Sequence, residues 1–514
     1  MKKHRFTRTG LTLALGLIQT LVISVPVYAG GGKDTRMVSS GNGQPIEGGE
    51  LRVGITTEPA TLDPLSASNT ADGRSILFNV FEGLVKPDAT GGLRPAAAES
   101  YAIEQNGLVY VFKLRQGLKF HDGTAVTPED VLFTLNTAIG GNLGGFSQID
   151  KVEIAADKSI RITLKAADVE FLPYLTVGIV PRNNADREKK AIGTGPFSIE
   201  SYTTQQTLVL KKNPDYWQKG LPHLDKVIYV FLENSDARFL ALQAGTVDSS
   251  FVFASEKAQL NPNKYEFFAN YSNSIQLLAL NNAAGPLKDL RVRQALNYAV
   301  DRQGIIDAAF FGLGEPWGSP LIPGLSKYTD PTLKNPYPVD IPKAKTLLAA
   351  AGYPDGFPLE ITVPSVYVMH VDTAQVIISQ LAKVGVTARI KLVDWPTWQS
   401  ETFMGRRYEA TVISVDSSNI SPRSFLARYQ SEAMDNFVNF KSPAYDKVYS
   451  ALLVETDEAK RIDLYKQAQR IISEEAASVY IQDIQSYGVY PAGVGGVFSY
   501  PQYVTDYAPV YRTR

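Results

Sequence analysis

Near the start of the chain, Leu51, Val53 and Ile55 alternate with Arg52 and Gly54, and this period of two predicts a strand. The loop "EPATLDP" follows, because Pro59 and Pro64 break regular pairing. Ile76, Leu77, Val80 and Phe81 fall at helical spacing, with Gly83 closing the helix. Val109, Val111 or Phe112, and Leu114 predict a further strand, and "HDG" at 121–123 turns the chain. Thr127 then stands as an N-cap, with Pro128 at the first helical position and Asp130 three residues after the cap. Val131, Leu132, Leu135 and Ala138 form the buried stripe of that helix. "VEIAADKSIRITLKAA" predicts a strand pair turning at Asp157 and Lys158.

The second half mixes the two periods. Two strands flank "YTTQQT", and "DARFLALQAGTVD" is a helix stopped at Gly245. In "NNAAGPLKDLRVRQALNYAVDR" (281–302), Asp289 caps a helix whose Val292, Ala295, Leu296, Ala299 and Val300 share one face. Arg291, Arg293, Asn297, Asp301 and Arg302 lie off that stripe, so the string reads as a capped amphipathic helix docked on a sheet. "IPKAKTLLAAAGY" (ended at Gly352) and "VDTAQVIISQLAKVGV" predict helices, and "LEITVPS" and "ARIKLVDW" predict strands. That alternation points to a partly parallel α/β sheet. "SPAYDKVYSALLVETDEAKRIDLYKQAQRIISEE" predicts two helices, and short strands with aromatic loops are expected from Val479 onward.

Composition narrows the class. The chain has 514 residues, 44% of them hydrophobic and 20% charged, which suits two or three globular domains of roughly 100–200 residues. A net charge of −1 gives no field for nucleic acid. The absence of cysteine excludes disulfides, thiolate metal sites and a cysteine nucleophile. At the N-terminus, Lys2, Lys3, Arg5 and Arg8 precede an apolar run from Leu11 to Val25 and then Val27, Tyr28 and Ala29. This pattern predicts a signal peptide over 1–29, cleaved after Ala29, because the run falls short of the ~20 apolar residues of a membrane span. Gly30 stands where a lipid anchor would need cysteine, and 30–47 reads as a flexible leader. An exported, periplasmic protein is expected.

Candidate chemistry is sparse. His4, His121, His223 and His370 are scattered, so no metal is expected; His121, in its turn, packs or faces water. No G-x-S-x-G elbow, phosphate loop or dinucleotide fingerprint occurs, and no cofactor is expected. Three of the four tryptophans, Trp317, Trp395 and Trp398, lie in "GEPWGSP" and "VDWPTWQS". Such loop aromatics serve either as ligand contacts or as core at a domain seam.

"FKLRQGLKFHDGTAVTPEDV" (112–131), "GTGPF", "NPDYW" and the 281–302 string together resemble the extracytoplasmic solute-binding proteins of peptide-type ABC importers, over nearly the whole chain from about Gly48. The resemblance implies an α/β fold: a two-lobed periplasmic-binding-protein clamp with an extra third domain (cluster C type), its mixed sheets flanked by helices. It implies lobe I from 48–84, 186–278 and 489–514, the extra domain from 85–185 and lobe II from 279–488. It also implies a monomer that closes on a small, preferably peptide-like solute and delivers it to a membrane permease, without catalysis. Peptide binders of this kind hold the peptide ammonium with an aspartate in a loop that matches "VISVDSSNISPRSF" (412–425) here. Ser418 stands at that position, beside Asn419, and Asp416 two residues earlier is a possible substitute; side chains two apart on a strand sit about 6–7 Å apart. The arginine that meets a dipeptide's carboxylate corresponds to Val368, with Tyr367 and His370 nearby. Trp395 matches a pocket aromatic, and Ser66 to Asn69 form a facing loop. Arg423 stands where such proteins often have an acid; it either favours an anionic ligand or is a solvated loop residue. With both charged poles of the dipeptide mode changed, an oligosaccharide, an opine or a nickel chelate is the alternative cargo. A secreted hydrolase is the alternative from another class.

Overall fold

Two long strands, Tyr265–Leu280 and Ser478–Pro491, run antiparallel side by side and form the middle of a six-stranded sheet. We describe them from a computed structural model, which covers residues 44–513 other than 67–70, 89–91, 142, 417–420, 499 and 501–503. The expected signal peptide, nearly all of the leader, Asn69, Ser418 and Asn419 lie outside the described residues.

Across the sheet the order is Ser250–Val252, Ser478–Pro491, Tyr265–Leu280, Ala410–Asp416, Pro358–Pro364 and Thr387–Val393. The last three strands are parallel to one another. Parallel neighbours need a crossover, and the helix Val368–Leu381 supplies it between Pro358–Pro364 and Thr387–Val393. Short strands do follow, at Val494–Gly495 and Tyr511–Arg512, but the expectation is corrected at its start: Ser478–Pro491 is one strand of 14 residues. It has a neighbour on each side and is buried along almost its whole length, so it shows no alternation.

The 281–302 string divides into two helices, Leu290–Ala299 and Arg302–Phe310, each capped by an aspartate. Asp289 accepts from the Arg291 N–H and Asp301 from the Gly304 N–H. Val292, Ala295, Leu296 and Ala299 are buried as the stripe requires. Arg293, Asn297 and Arg302 are buried as well, contrary to their place off the stripe. The Arg302 guanidinium donates to the carbonyls of Tyr480 (2.7 Å) and Tyr337 (3.2 Å) and to Asn297 Oδ1 (3.0 Å). Arg293 donates to the carbonyls of Leu287, Glu475 and Ala476. Such a charge is tolerable inside only because its donors are met.

Two four-stranded sheets, beside two two-stranded pairings, complete the described architecture. In one, Glu50–Ile55 pairs parallel with Lys226–Phe231, which leads antiparallel to Thr207–Lys212 and Phe197–Thr203. The other is antiparallel, in the order Ala98–Glu104, Val109–Leu114, Ile160–Leu164, Ile149–Ile154, with the helix Pro128–Gly140 packed on it. That helix carries the expected capping box: Asp130 accepts from both the Thr127 N–H (3.0 Å) and its hydroxyl (2.7 Å). Each sheet has its own buried cluster, as in a chain built from several layered units. Gly83 does not end a helix. The helix Ala71–Phe78 stops earlier, and a Cβ on Gly83 would sit 2.4 Å from the Leu175 carbonyl oxygen. Glycine is required there by close approach of backbone to backbone.

Candidate functional site

Three parallel strands end at one edge of the six-stranded sheet, and the chemistry gathers there. In register, Thr362 lies opposite Thr411 and Pro364 opposite Val393, so Pro358–Pro364 and Thr387–Val393 end level with one another at the same edge, while Ala410–Asp416 runs about 10 Å further before it ends. Carboxyl ends of parallel strands are where α/β sheets place ligands, because the crossovers diverge and leave a crevice.

Tyr367 follows the first of these strands and Trp395 the second. Their rings meet edge to face at 5.4 Å between centroids. Trp395 also stacks on Trp398, at 5.1 Å and 5° between planes. Trp398 is buried and donates from Nε1 to Thr411 Oγ1 (3.0 Å), so the partly exposed Trp395 rests on a fixed floor. Asp394 helps to hold this corner by accepting from the Thr397 N–H (2.8 Å). Trp317 is core: buried, with its indole N–H on the Leu321 carbonyl. Of the three loop tryptophans, Trp395 alone keeps a partly open face.

Asp416 closes the third strand, exposed, opposite Ser274. Its carbonyl accepts from Arg428 Nη2 (2.9 Å). Ser66 lies on a separate segment, in a turn where its N–H donates to the Asp63 carbonyl and where Asp63 pairs with Arg187 (3.1 Å). Arg423 is not a solvated loop residue. It belongs to the helix Pro422–Leu426 and donates from Nη1 to Asp168 Oδ1 (2.6 Å), with its side chain 20% exposed. Val368, in the place of the carboxylate-binding arginine, is 66% exposed, and Val366 is 62% exposed, so apolar surface flanks the Tyr367 ring.

Beneath this edge lies a polar row that sequence reading missed. Gln276 Nε2 donates to His370 Nδ1 (3.1 Å) and Thr373 Oγ1 (3.0 Å), and Gln482 Nε2 donates to Gln276 Oε1 (3.0 Å). Burial pushes the His370 imidazole down to about 4, so it is neutral at neutral pH and its proton sits on Nε2. A lone glutamine inside the apolar run "IQLLAL" was the available signal. His121 is likewise held neutral, down to about 4 by burial; its Nδ1 accepts from the Gly193 N–H and its Nε2 reaches the Gly195 carbonyl. It packs, with part of the residue still exposed.

Rings, amides and one exposed carboxylate are groups that can contact a solute by stacking, hydrogen bonding and charge. Among the described residues no three His, Asp or Glu side chains gather as metal ligands, and no helix is long and apolar enough to cross a membrane.

Residues 92–437 match the family of bacterial extracellular solute-binding proteins, family 5 middle. The heme-binding protein A of Haemophilus influenzae is 30% identical over 428 residues, which cover 75% of this chain and 78% of that protein. The glutathione-binding protein GsiB of Salmonella typhimurium is 28% identical over 453 residues, covering 83% and 87%. The crystal structure of CtaP, an ABC transporter substrate-binding protein of Listeria monocytogenes, superposes with a TM-score of 0.82 at 26% identity, over 91% of this chain and 100% of that one. The chain belongs to the family 5 bacterial extracellular solute-binding proteins, the two-lobed binding components of peptide-type ABC importers.

Proposed function

We propose that this protein captures a short peptide of about the size of glutathione at the carboxyl edge of its six-stranded sheet and delivers it to a membrane permease. The observation that carries this reading is the convergence of Tyr367, Trp395 and Asp416 on that edge. The rings offer a face for side chains or peptide planes, and Asp416 offers a counter-charge for an ammonium. Ser418, Asn419, Ser66 and Asn69 complete the ligand set in this reading. Lobe I comprises 48–84, 186–278 and 489–514, the extra domain 85–185 and lobe II 279–488. The separate buried clusters support that division, and its bounds at 278/279 and 488/489 fall within the paired strands Tyr265–Leu280 and Ser478–Pro491, which run from one lobe into the other. The protein works as a periplasmic monomer, freed of residues 1–29, and catalyses nothing.

One observation favours a second cargo. The exposed Val366 and Val368 beside the Tyr367 and Trp395 rings suit a flat apolar ligand such as a heme. Native mass spectrometry of the purified protein, followed by calorimetry with reduced glutathione, tripeptides, heme, an opine, nickel–histidine and an oligosaccharide, separates the readings. A short peptide retained or bound at micromolar Kd is expected. Exclusive binding of heme, sugar, opine or chelate overturns the peptide assignment, and turnover of any of them overturns the transport role.

A further inference from the structure

Ser421 and Arg423 stand just beyond the 410–416 strand, and both reach out of their own sheet. The Ser421 hydroxyl donates to Glu170 Oε2 (3.1 Å) and also caps the helix Pro422–Leu426 by accepting from the Arg423 N–H. Arg423 pairs with Asp168 (2.6 Å). Arg461, on the helix Glu458–Glu474, adds its Nε 3.5 Å from Glu170 Oε1. The side chains of Asp168 and Glu170 are 8% and 11% exposed, so these contacts lie away from water, where salt screens them little.

The acidic segment is itself pinned. The Asp168 N–H donates to the Gly107 carbonyl (3.0 Å), the Tyr110 hydroxyl donates to the Asp168 carbonyl, and Asp168 Oδ1 accepts from the Glu170 N–H (2.9 Å). Gly107, at φ +88°, has backbone packed against it: a Cβ there would lie 2.7 Å from the Val169 nitrogen. By contrast, a five-residue helix such as Pro422–Leu426 has little stability of its own. A rigid acid pair borne by the 98–164 sheet thus holds a weak element bordering the candidate cleft.

We infer that Asp168 and Glu170 are positioning residues, which set where Ser421 and the 422–426 helix stand and thereby tune solute affinity without touching the solute. The effect on affinity rests on the reading that the end of the 410–416 strand borders the cleft; the positioning does not. The full-length mature protein tests it by hydrogen–deuterium exchange of the amides of 421–429, in the variants Asp168→Asn, Arg423→Gln and their double, and in Glu170→Gln. Each single variant is expected to raise exchange there about tenfold, with the 478–491 strand unchanged. The Asp168→Asn/Arg423→Gln double should exchange no faster than the faster single, because both changes remove one interaction. Unchanged exchange at 421–429, an equal rise in the 478–491 strand, or strictly additive effects of the two changes would overturn the inference. Calorimetry with reduced glutathione on the same proteins should show about fivefold weaker binding in each single variant. Wild-type protein that fails to bind glutathione counts against the proposed cargo, while the exchange data still decide the positioning.

Discussion

At the scale of single residues, two predictions follow from side chains already placed. Trp395 is partly exposed on a floor made by Trp398, so Trp395→Ala should leave a folded protein that grips its solute less. The thermal upshift produced by the solute that co-purifies with the protein should shrink by more than half; an upshift equal to wild type would make Trp395 mere packing. The second concerns pH. Burial lowers both His121 and His370 to about 4, against about 6.5 in the unfolded chain. Between those values the unfolded chain binds more protons than the folded one. Stability is therefore full above pH 6.5 and is lost as pH falls toward 4, by about 2 kcal/mol per imidazole at pH 5. Glu170 works in the opposite sense, since burial raises its pKa and its contribution declines as pH rises through that raised value. The urea midpoint should be lower at pH 5 than at pH 7.5, and His370→Gln should flatten the difference; a slope unchanged in that variant would remove His370 from the account.

At the scale of elements, legibility tracked locality. The helices Pro128–Gly140 and Leu290–Ala299 were readable because cap and stripe lie within a dozen residues. The strand Ser478–Pro491 was not, because burial on both faces erases the period of two. The buried arginines misled for a related reason. A cation off an apolar stripe reads as solvent-facing, and only a strand distant in sequence turns that face inward. At the site, Trp395 was legible as a loop aromatic and Tyr367 only through the resemblance, whereas the row of Gln276, His370, Thr373 and Gln482 depends on three separate segments. Burial pulls the Arg302 guanidinium down to about 10, still charged at neutral pH, with its donors spread over Tyr480, Tyr337 and Asn297. Arg302→Leu keeps the bulk but strands those acceptors, and a loss of about 3 kcal/mol in urea unfolding is expected. A loss under about 0.5 kcal/mol would show that water replaces the guanidinium there.

At the scale of the molecule, the pairing of its two longest strands governs how the chain comes together. Leu277 lies opposite Tyr480, whereas Val109 lies opposite Thr163. Closing the first loop costs about 1 kcal/mol more chain entropy before any contact returns it, so the 98–164 sheet should gain protection early and the 265–280 strand late. Pulse-labelled exchange during refolding from urea should show that order; simultaneous protection would deny it. The consequence reaches back to synthesis. The 265–280 strand finds its first neighbour, 410–416, only about 130 residues later and its second, 478–491, only about 200 residues later, roughly 10–40 seconds of synthesis. A chain built this way keeps its largest sheet open over that interval, the unfolded state in which an export channel threads the proteins of an extracellular family.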